Sequence, residues 1–333
     1  MKIALIGPGI MSIPPPGWGA VEILIWDYFL ELKKQGQNVD IINIIRNNVI
    51  EQSNPNTEYC QYLINIINDG RYDFVHIHYD MLYHIMPFLT CKKIGITSHY
   101  PYINQLHKHL TDGFTTVFSS LCENKKHTIF ALAKKDYETF ENLSSVKSNI
   151  FYLLNGANHN EIMPVKDIDD KEFKYKSIYV GKIEERKQQY KYCSMPNIDF
   201  YGKCDNVHFR SLLNFKGELP HNEIVKKITQ YGNLILLSTG EADPLVIKEA
   251  LMAGLPVVTN KHSTNDMYNG LPFIDIIPDD KLDDLNYVHY IIQENLKKQV
   301  LKDEIRAYAM EHFSWEKLVQ EYITNISSIS ENE

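Results

Sequence analysis

The sequence predicts an α/β protein made of two doubly wound parallel-sheet domains, and three observations carry that prediction. The chain has 333 residues, enough for two domains of roughly 100–200 residues each. Short apolar runs alternate with helical stretches from the first residues onward, the pattern of parallel strands joined by crossover helices. That alternation pauses in a polar segment after Asn155-Gly156 and then starts afresh. The expected layout is an N-terminal domain over 1–158, a linker over 159–174 and a second domain over 175–312. A last helix is expected over 313–333.

Composition narrows the function classes. Hydrophobic residues make up 44% and charged residues 23%, ordinary for a globular protein that folds without disulfides or metals. With 34 basic against 42 acidic residues the formal charge is −8, which excludes a generally basic nucleic-acid binder. Five cysteines with no C-x-x-C pair suit a reducing compartment. No apolar run approaches the ~18 residues of a membrane span. Pro8 and Gly9 end the opening apolar stretch too early for a signal peptide, so a cytoplasmic location is expected.

In the first half, Ile3–Ile6 is a continuous apolar run, as expected of a parallel strand covered on both faces. A Gly- and Pro-rich turn follows. Val21, Leu24, Ile25, Tyr28, Phe29 and Leu32 then fall on one helical stripe, and Gly36 is the expected stop. NVDIINII reads as the next strand. Phe74–His78, Ile94–Ser98, Thr116–Ser119 and Ile150–Leu154 are the further candidate strands.

HNEIMPVKDIDDKEFKYK is polar, charged and contains Pro164, which suits a linker. The strands KSIYVG, IDFYG, LNFKG and NLILLS follow, with helices over Pro220–Gln230 and Pro244–Ala253 and a further strand at PVVT. Two such units in one chain place a cleft between them, where ligands commonly bind.

The segment STGEADPLVIKEALMAGLPVV, residues 238–258, carries the strongest chemistry. A strand feeding a helix N-terminus offers free N–H groups and a positive dipole end, both suited to phosphate. Glu241 and Glu249 bracket that turn. Carboxylates repel phosphate, but they can accept hydrogen bonds from hydroxyls on either side of it. Taken alone, the spacing of two Glu is a weak signal and fits a solvated helix face better than a site.

The surrounding residues of this segment resemble the E-x7-E signature of retaining glycosyltransferases of family 4, which have the two-domain GT-B fold. Glu241, Leu245, Glu249, Ala250, Ala253, Gly254, Pro256, Val257 and Val258 match it, whereas Ala242-Asp243-Pro244 replaces the usual Gly-Phe-Gly. The resemblance implies that Glu249 binds the ribose of a nucleotide sugar and that Glu241 lies beside the transferred sugar. Leu245 and Asp243 then belong to the donor site, where the Asp243 carboxylate is expected to alter sugar preference.

Further segments extend the likeness over nearly the whole chain. YVGKIEERKQ resembles the family's Gly-Arg…Lys element, which implies that Lys182 and Lys187 hold the diphosphate, Lys182 standing where Arg is usual and Arg186 lying close by. NFKGELPHNEI resembles the strand–loop that meets the nucleotide base, which points to Gly217 and Leu219. Gly17, Gly19 and Glu22 match the Gly-rich loop and the Glu that opens the first helix. ITSHY resembles a strand ending in a His, so His99 is implied at the donor sugar or acceptor. His76 and His78 alternate on DFVHIHY and read as structural, with no third ligand at metal spacing. HFSWEKLVQEYI resembles the terminal helix of the family, which implies that 313–333 packs back on the first domain.

The resemblance thus implies a glycosyltransferase that moves a sugar from a UDP-, GDP- or ADP-linked donor to a carbohydrate, lipid or protein acceptor, with retention of configuration. Glu241 and His99 are its candidate catalytic residues. Gly17, Gly19, Lys182, Lys187, Gly217, Leu219, Asp243, Leu245 and Glu249 are its donor-binding residues. No metal and no cofactor beyond the donor is expected, because Asp167-Ile-Asp169 falls in the polar linker rather than beside a strand end. An epimerase or hydrolase of the same fold, or a non-catalytic nucleotide-sugar-binding protein, is the alternative.

Overall fold

The computed structural model describes residues 1–17, 19–46, 56–123, 127–144, 149–264 and 268–329. They form two compact units. Among these residues, the first takes those within 1–15, 19–154 and 315–329, and the second takes those within 16–17 and 155–314.

The first unit holds six parallel strands in the order β2-β1-β3-β4-β5-β6. These are β1 (Lys2–Ile6), β2 (Asn38–Ile42), β3 (Phe74–Ile77), β4 (Ile94–Thr97), β5 (His127–Ala131) and β6 (Ile150–Tyr152). Its longer helices are α1 (Ala20–Lys34), α2 (Thr57–Gly70), α3 (Thr115–Glu123) and α4 (Lys134–Leu143). β1 and β3 sit inside the sheet, covered on both faces, which is why Ile3–Ile6 and Phe74–Ile77 are buried without alternation.

Thr116–Ser119, expected as a strand, is instead part of α3. Its β-branched and aromatic residues mimic a strand, but Val117, Phe118, Leu121 and Cys122 form one buried helical stripe. The strand of this region is β5, eight residues further on, entirely buried.

The second unit repeats the architecture in the order β12-β11-β10-β7-β8-β9, again all parallel. Its strands are β7 (Phe173–Val180), β8 (Ile198–Tyr201), β9 (Phe215–Gly217), β10 (Tyr231–Leu236), β11 (Val257–Asn260) and β12 (Ile274–Ile277). The longer helices are α5 (His221–Ile228), α6 (Leu245–Ala253), α7 (Leu285–Leu296) and α8 (Lys302–Phe313). Residues 159–174 lie within this unit: Ile162 and Val165 are buried, and Val165 N–H donates to Ala253 O at 3.2 Å.

From β7 the chain winds outward through β8 and β9, then returns to β10 on the other side of β7 and winds away through β11 and β12. The β7/β10 junction is therefore the switch point of the sheet, the place where open α/β sheets bind ligands at their carboxyl edge. α6 leaves that edge almost wholly buried and ends at Gly254, whose φ of +86° and proximity to Lys302 O leave no room for a side chain.

The final helix, α9 (Trp315–Ser328), belongs to the first unit. Its buried stripe of Trp315, Leu318, Val319, Tyr322 and Ile326 packs there, with Trp315 Nε1 donating to Asp27 Oδ2 at 3.1 Å.

Candidate functional site

At the carboxyl end of β7 the backbone turns at Gly181, and the Lys187 side chain lies over it. A β-carbon on Gly181 would stand 3.5 Å from Lys187 Cε. Gly202, at the end of β8, has φ +143°, and its backbone presses on Gly181 C=O so closely that any side chain would collide. The turn Glu185–Lys187 then aims two cations at one carboxylate. Lys187 Nζ lies 2.7 Å and Arg186 Nη1 3.0 Å from Glu241 Oε1, while Arg186 Nη2 reaches Glu184 Oε1 at 2.7 Å. Burial by itself would raise the Glu241 carboxyl, but Lys187 and Arg186 outweigh it and hold its pKa below the usual range.

The loop carrying Glu241 is fixed from below. Tyr179, fully buried on β7, donates its hydroxyl to Lys187 O and accepts from Leu237 N–H at 2.9 Å, tying the cation turn to the end of β10. Thr239 N–H donates to Arg186 O at 2.9 Å, Asn260 Nδ2 to Ser238 O at 2.8 Å, and Glu241 N–H to His262 O at 3.1 Å. Rigid neighbours thus place the Lys187, Arg186 and Glu241 charges, an arrangement that costs little reorganisation when an anion arrives. Lys182 follows Gly181 directly and is half-buried; its carbonyl accepts from Gln189 Nε2 at 2.9 Å.

One strand over, β9 ends at Gly217 with φ +87°, and Gly217 O accepts from Gly202 N–H at 2.9 Å. The half-buried Leu219 and the exposed Pro220 lead into α5, whose first residue is His221. His221 Nε2 lies 2.6 Å from Glu249 Oε1, and both side chains are largely buried. Gly17 belongs to this second unit, where its backbone lies against the Glu218 side chain.

Asp243 is buried, and its carboxylate is turned inward. It pairs with Lys248 one helical turn along and accepts Asn155 N–H at 2.8 Å, while Asn155 Nδ2 donates to Asp243 O at 3.0 Å. Burial pushes the Asp243 carboxyl up and the Lys248 ammonium down, and each partner opposes the other's shift. Pro244 is the N-cap of α6, and Leu245 is half-buried in its first turn. Asp167 and Asp169 lie in an exposed turn closed by Asp169 N–H on Asp167 Oδ1 at 3.0 Å.

In the first unit, His76 and His78 point to the same side of β3, as period two requires. Their ring centroids lie 4.0 Å apart with the planes tilted by 37°, and the His99 ring, just past β4, lies 6.1 Å from that of His78. His76 bonds Tyr322 Oη at 3.0 Å and Thr97 Oγ1 at 2.8 Å. Both nitrogens of His78 and Nε2 of His99 are buried with no hydrogen-bond partner among the described residues. Burial, with the neighbouring imidazoles, pulls His76 down to about 3 and His78 well below its ordinary value, and burial takes His99 to about 4. The described residues contain no cluster of three or more His, Cys, Asp or Glu able to hold a metal. Gly19 (φ +134°) precedes α1 and packs on Glu22, a buried carboxyl that desolvation lifts to about 7.

The structure thus joins Lys187 to Glu241 and sets Gly181, Lys182, Gly217 and Leu219 along the same sheet edge, while His99 and Gly19 fall in the first unit. Three participants escaped the sequence: His221 against Glu249, and Lys248 with Asn155 against Asp243. Lys248 on a helix that is apolar apart from Glu249 was the one local sign, since a buried ammonium needs a partner.

No protein-family model matches the sequence, and no curated protein matches it. Solved structures do match over nearly the whole length. Sucrose-phosphate synthase from Thermosynechococcus elongatus superposes with a TM-score of 0.75 at 15% identity, covering 98% of this chain and 100% of that one. WaaG, a glycosyltransferase involved in lipopolysaccharide biosynthesis, gives 0.72 at 14% identity, covering 98% and 100%. HepE from Anabaena, solved with UDP-glucose, gives 0.70 at 15% identity, covering 99% and 100%. The fold is therefore GT-B, two Rossmann-like units of six parallel strands each.

Proposed function

We propose that the chain is a retaining glycosyltransferase that moves a sugar from a nucleoside-diphosphate sugar to a carbohydrate, lipid or protein acceptor, without a metal. The observation that carries this reading is the Lys187–Glu241–Arg186 cluster at the switch point of the second sheet. Fixed cations at such an edge suit a diphosphate, and the E-x7-E pattern puts hydroxyl acceptors on either side of it. Structural neighbours solved with UDP and with UDP-glucose support the donor class.

In this reading Lys182 and Lys187 take the diphosphate, with the free N–H groups of the first turn of α6. Charge that builds on the leaving phosphate as the glycosidic bond breaks is met by cations already in place. Glu241 serves two ends: it aims Lys187 and accepts a hydroxyl of the transferred sugar. Glu249 accepts ribose hydroxyls, and Gly217 and Leu219 offer backbone groups to the base. Asp243 acts by holding the 241–244 loop through Lys248. His99, neutral at physiological pH, is suited to hydrogen bonding with a sugar or acceptor hydroxyl.

A thermal-shift panel of UDP, GDP, ADP and their sugar conjugates tests the assignment. A ligand at 100 times its Kd adds about 2.7 kcal/mol of stability, so a binder raises the midpoint measurably. One base should stand out, and Lys187→Ala should abolish its shift. Flat responses to every nucleotide would refute the reading.

A further inference from the structure

We infer that His221 is a positioning residue that sets the Glu249 carboxylate for ribose recognition, and so makes the protein discriminate ribonucleotides from 2′-deoxyribonucleotides. The inference rests on the proposed donor site and adds a residue to it.

The geometry allows one sense of hydrogen bonding. An ionised carboxylate only accepts, so at 2.6 Å His221 Nε2 must be the donor. That contact occupies Glu249 Oε1 and fixes the carboxylate plane, leaving Oε2 as the acceptor for a hydroxyl. A glutamate on the second turn of a helix otherwise has several allowed rotamers and a broadly distributed final torsion. His221 removes that freedom before a nucleotide arrives, which is the preorganisation a binding site needs.

His221 also sits where coupling is useful. It is the first residue of α5, two positions after Leu219, on the segment that leads out of β9. Glu249 lies on α6, 28 residues later. One hydrogen bond therefore ties the base-facing loop to the ribose-facing helix. Substituting His221 should disturb recognition of the sugar hydroxyls more than the grip on phosphates, which the Lys187 turn supplies.

The test measures Kd for the nucleoside diphosphate that stabilises the wild type and for its 2′-deoxy form, using UDP, GDP and ADP as probes. Wild type should prefer the ribo form by about tenfold or more, the size of one hydrogen bond to a charged acceptor. His221→Phe keeps a ring of similar size but no donor, and the preference should fall to about threefold or less. His221→Gln can donate from its amide and should restore most of it. His221→Ala supplies a second route: added imidazole should bring the preference back. Variants that keep the full ribo preference would overturn the inference while leaving the donor site standing. If no nucleoside diphosphate binds even the wild type, the donor reading itself fails and His221 falls with it.

Discussion

Lys187 Nζ meets Glu241 Oε1 at 2.7 Å, and Arg186 reaches the same oxygen from a second direction at 3.0 Å. A buried carboxylate held by two cations is ionised below the pH at which it titrates in the unfolded chain, and this fixes the sign of its effect on stability. Its contribution is complete above the ordinary value of 4.5 and is lost as pH falls through the depressed folded value. The stability difference between wild type and Glu241→Gln should be constant from pH 8 to about pH 5 and should shrink in more acid solution. Urea midpoints across that range check it. A difference that grew toward low pH would contradict the ion cluster.

The Asp243–Lys248 pair calls for a different experiment. Both side chains are buried, so Lys248→Met leaves an uncompensated carboxylate and should destabilise by about 3–5 kcal/mol. Asp243→Asn strands the ammonium and should cost a similar amount. The double variant should be less damaging than the two singles added together, because neither partner is then left as a lone buried charge. A double-mutant cycle by chemical denaturation gives the coupling energy; additive effects would mean that the two side chains act independently.

How much of this was legible beforehand follows from the distances along the chain. β1, β3 and β10 lie inside their sheets, so each carries a dense apolar stretch visible in the sequence: Ile3–Ile6, Phe74 and Val75 with Ile77, and Leu234–Leu236. β5 was missed because it opens on His127, after two lysines, while the neighbouring Thr115–Glu123 helix borrowed its β-branched look. The same holds at the site. Lys187 and Glu241 stand in short local motifs and could be singled out. His221 is separated from Glu249 by 28 residues and Asn155 from Asp243 by 88, and only the folded sheet brings such pairs together.

Glu22 gives a pH signature of the opposite sign. Desolvation lifts it to about 7, against 4.5 when exposed. A carboxyl raised in the folded state contributes stability that is full below pH 4.5 and is lost as pH rises through 7. Glu22→Gln should therefore remove a decline in the first unit's stability between pH 4.5 and about 7. Thermal midpoints of the two proteins should converge in acid and separate toward neutral pH.

The three imidazoles of the first unit oppose that trend. His76, His78 and His99 are neutral when folded, at about 3, well below 6.5 and about 4. The unfolded chain binds protons at these residues from pH 6.5 downward while the folded chain does not, so stability is full above 6.5 and falls as the pH drops toward 4. Each histidine contributes a slope of about 1.4 kcal/mol per pH unit in the middle of that window. His78 isolates one such term, since neither of its nitrogens has a hydrogen-bond partner among the described residues. His78→Phe replaces an unsatisfied polar ring with an apolar one of similar size, which should stabilise the fold or leave it unchanged at pH 7. The same variant should show an acid decline shallower by one proton. Urea midpoints at pH 7, 6, 5 and 4.5 separate the outcomes: a slope equal to the wild type's would mean that His78 takes up its proton without unfolding.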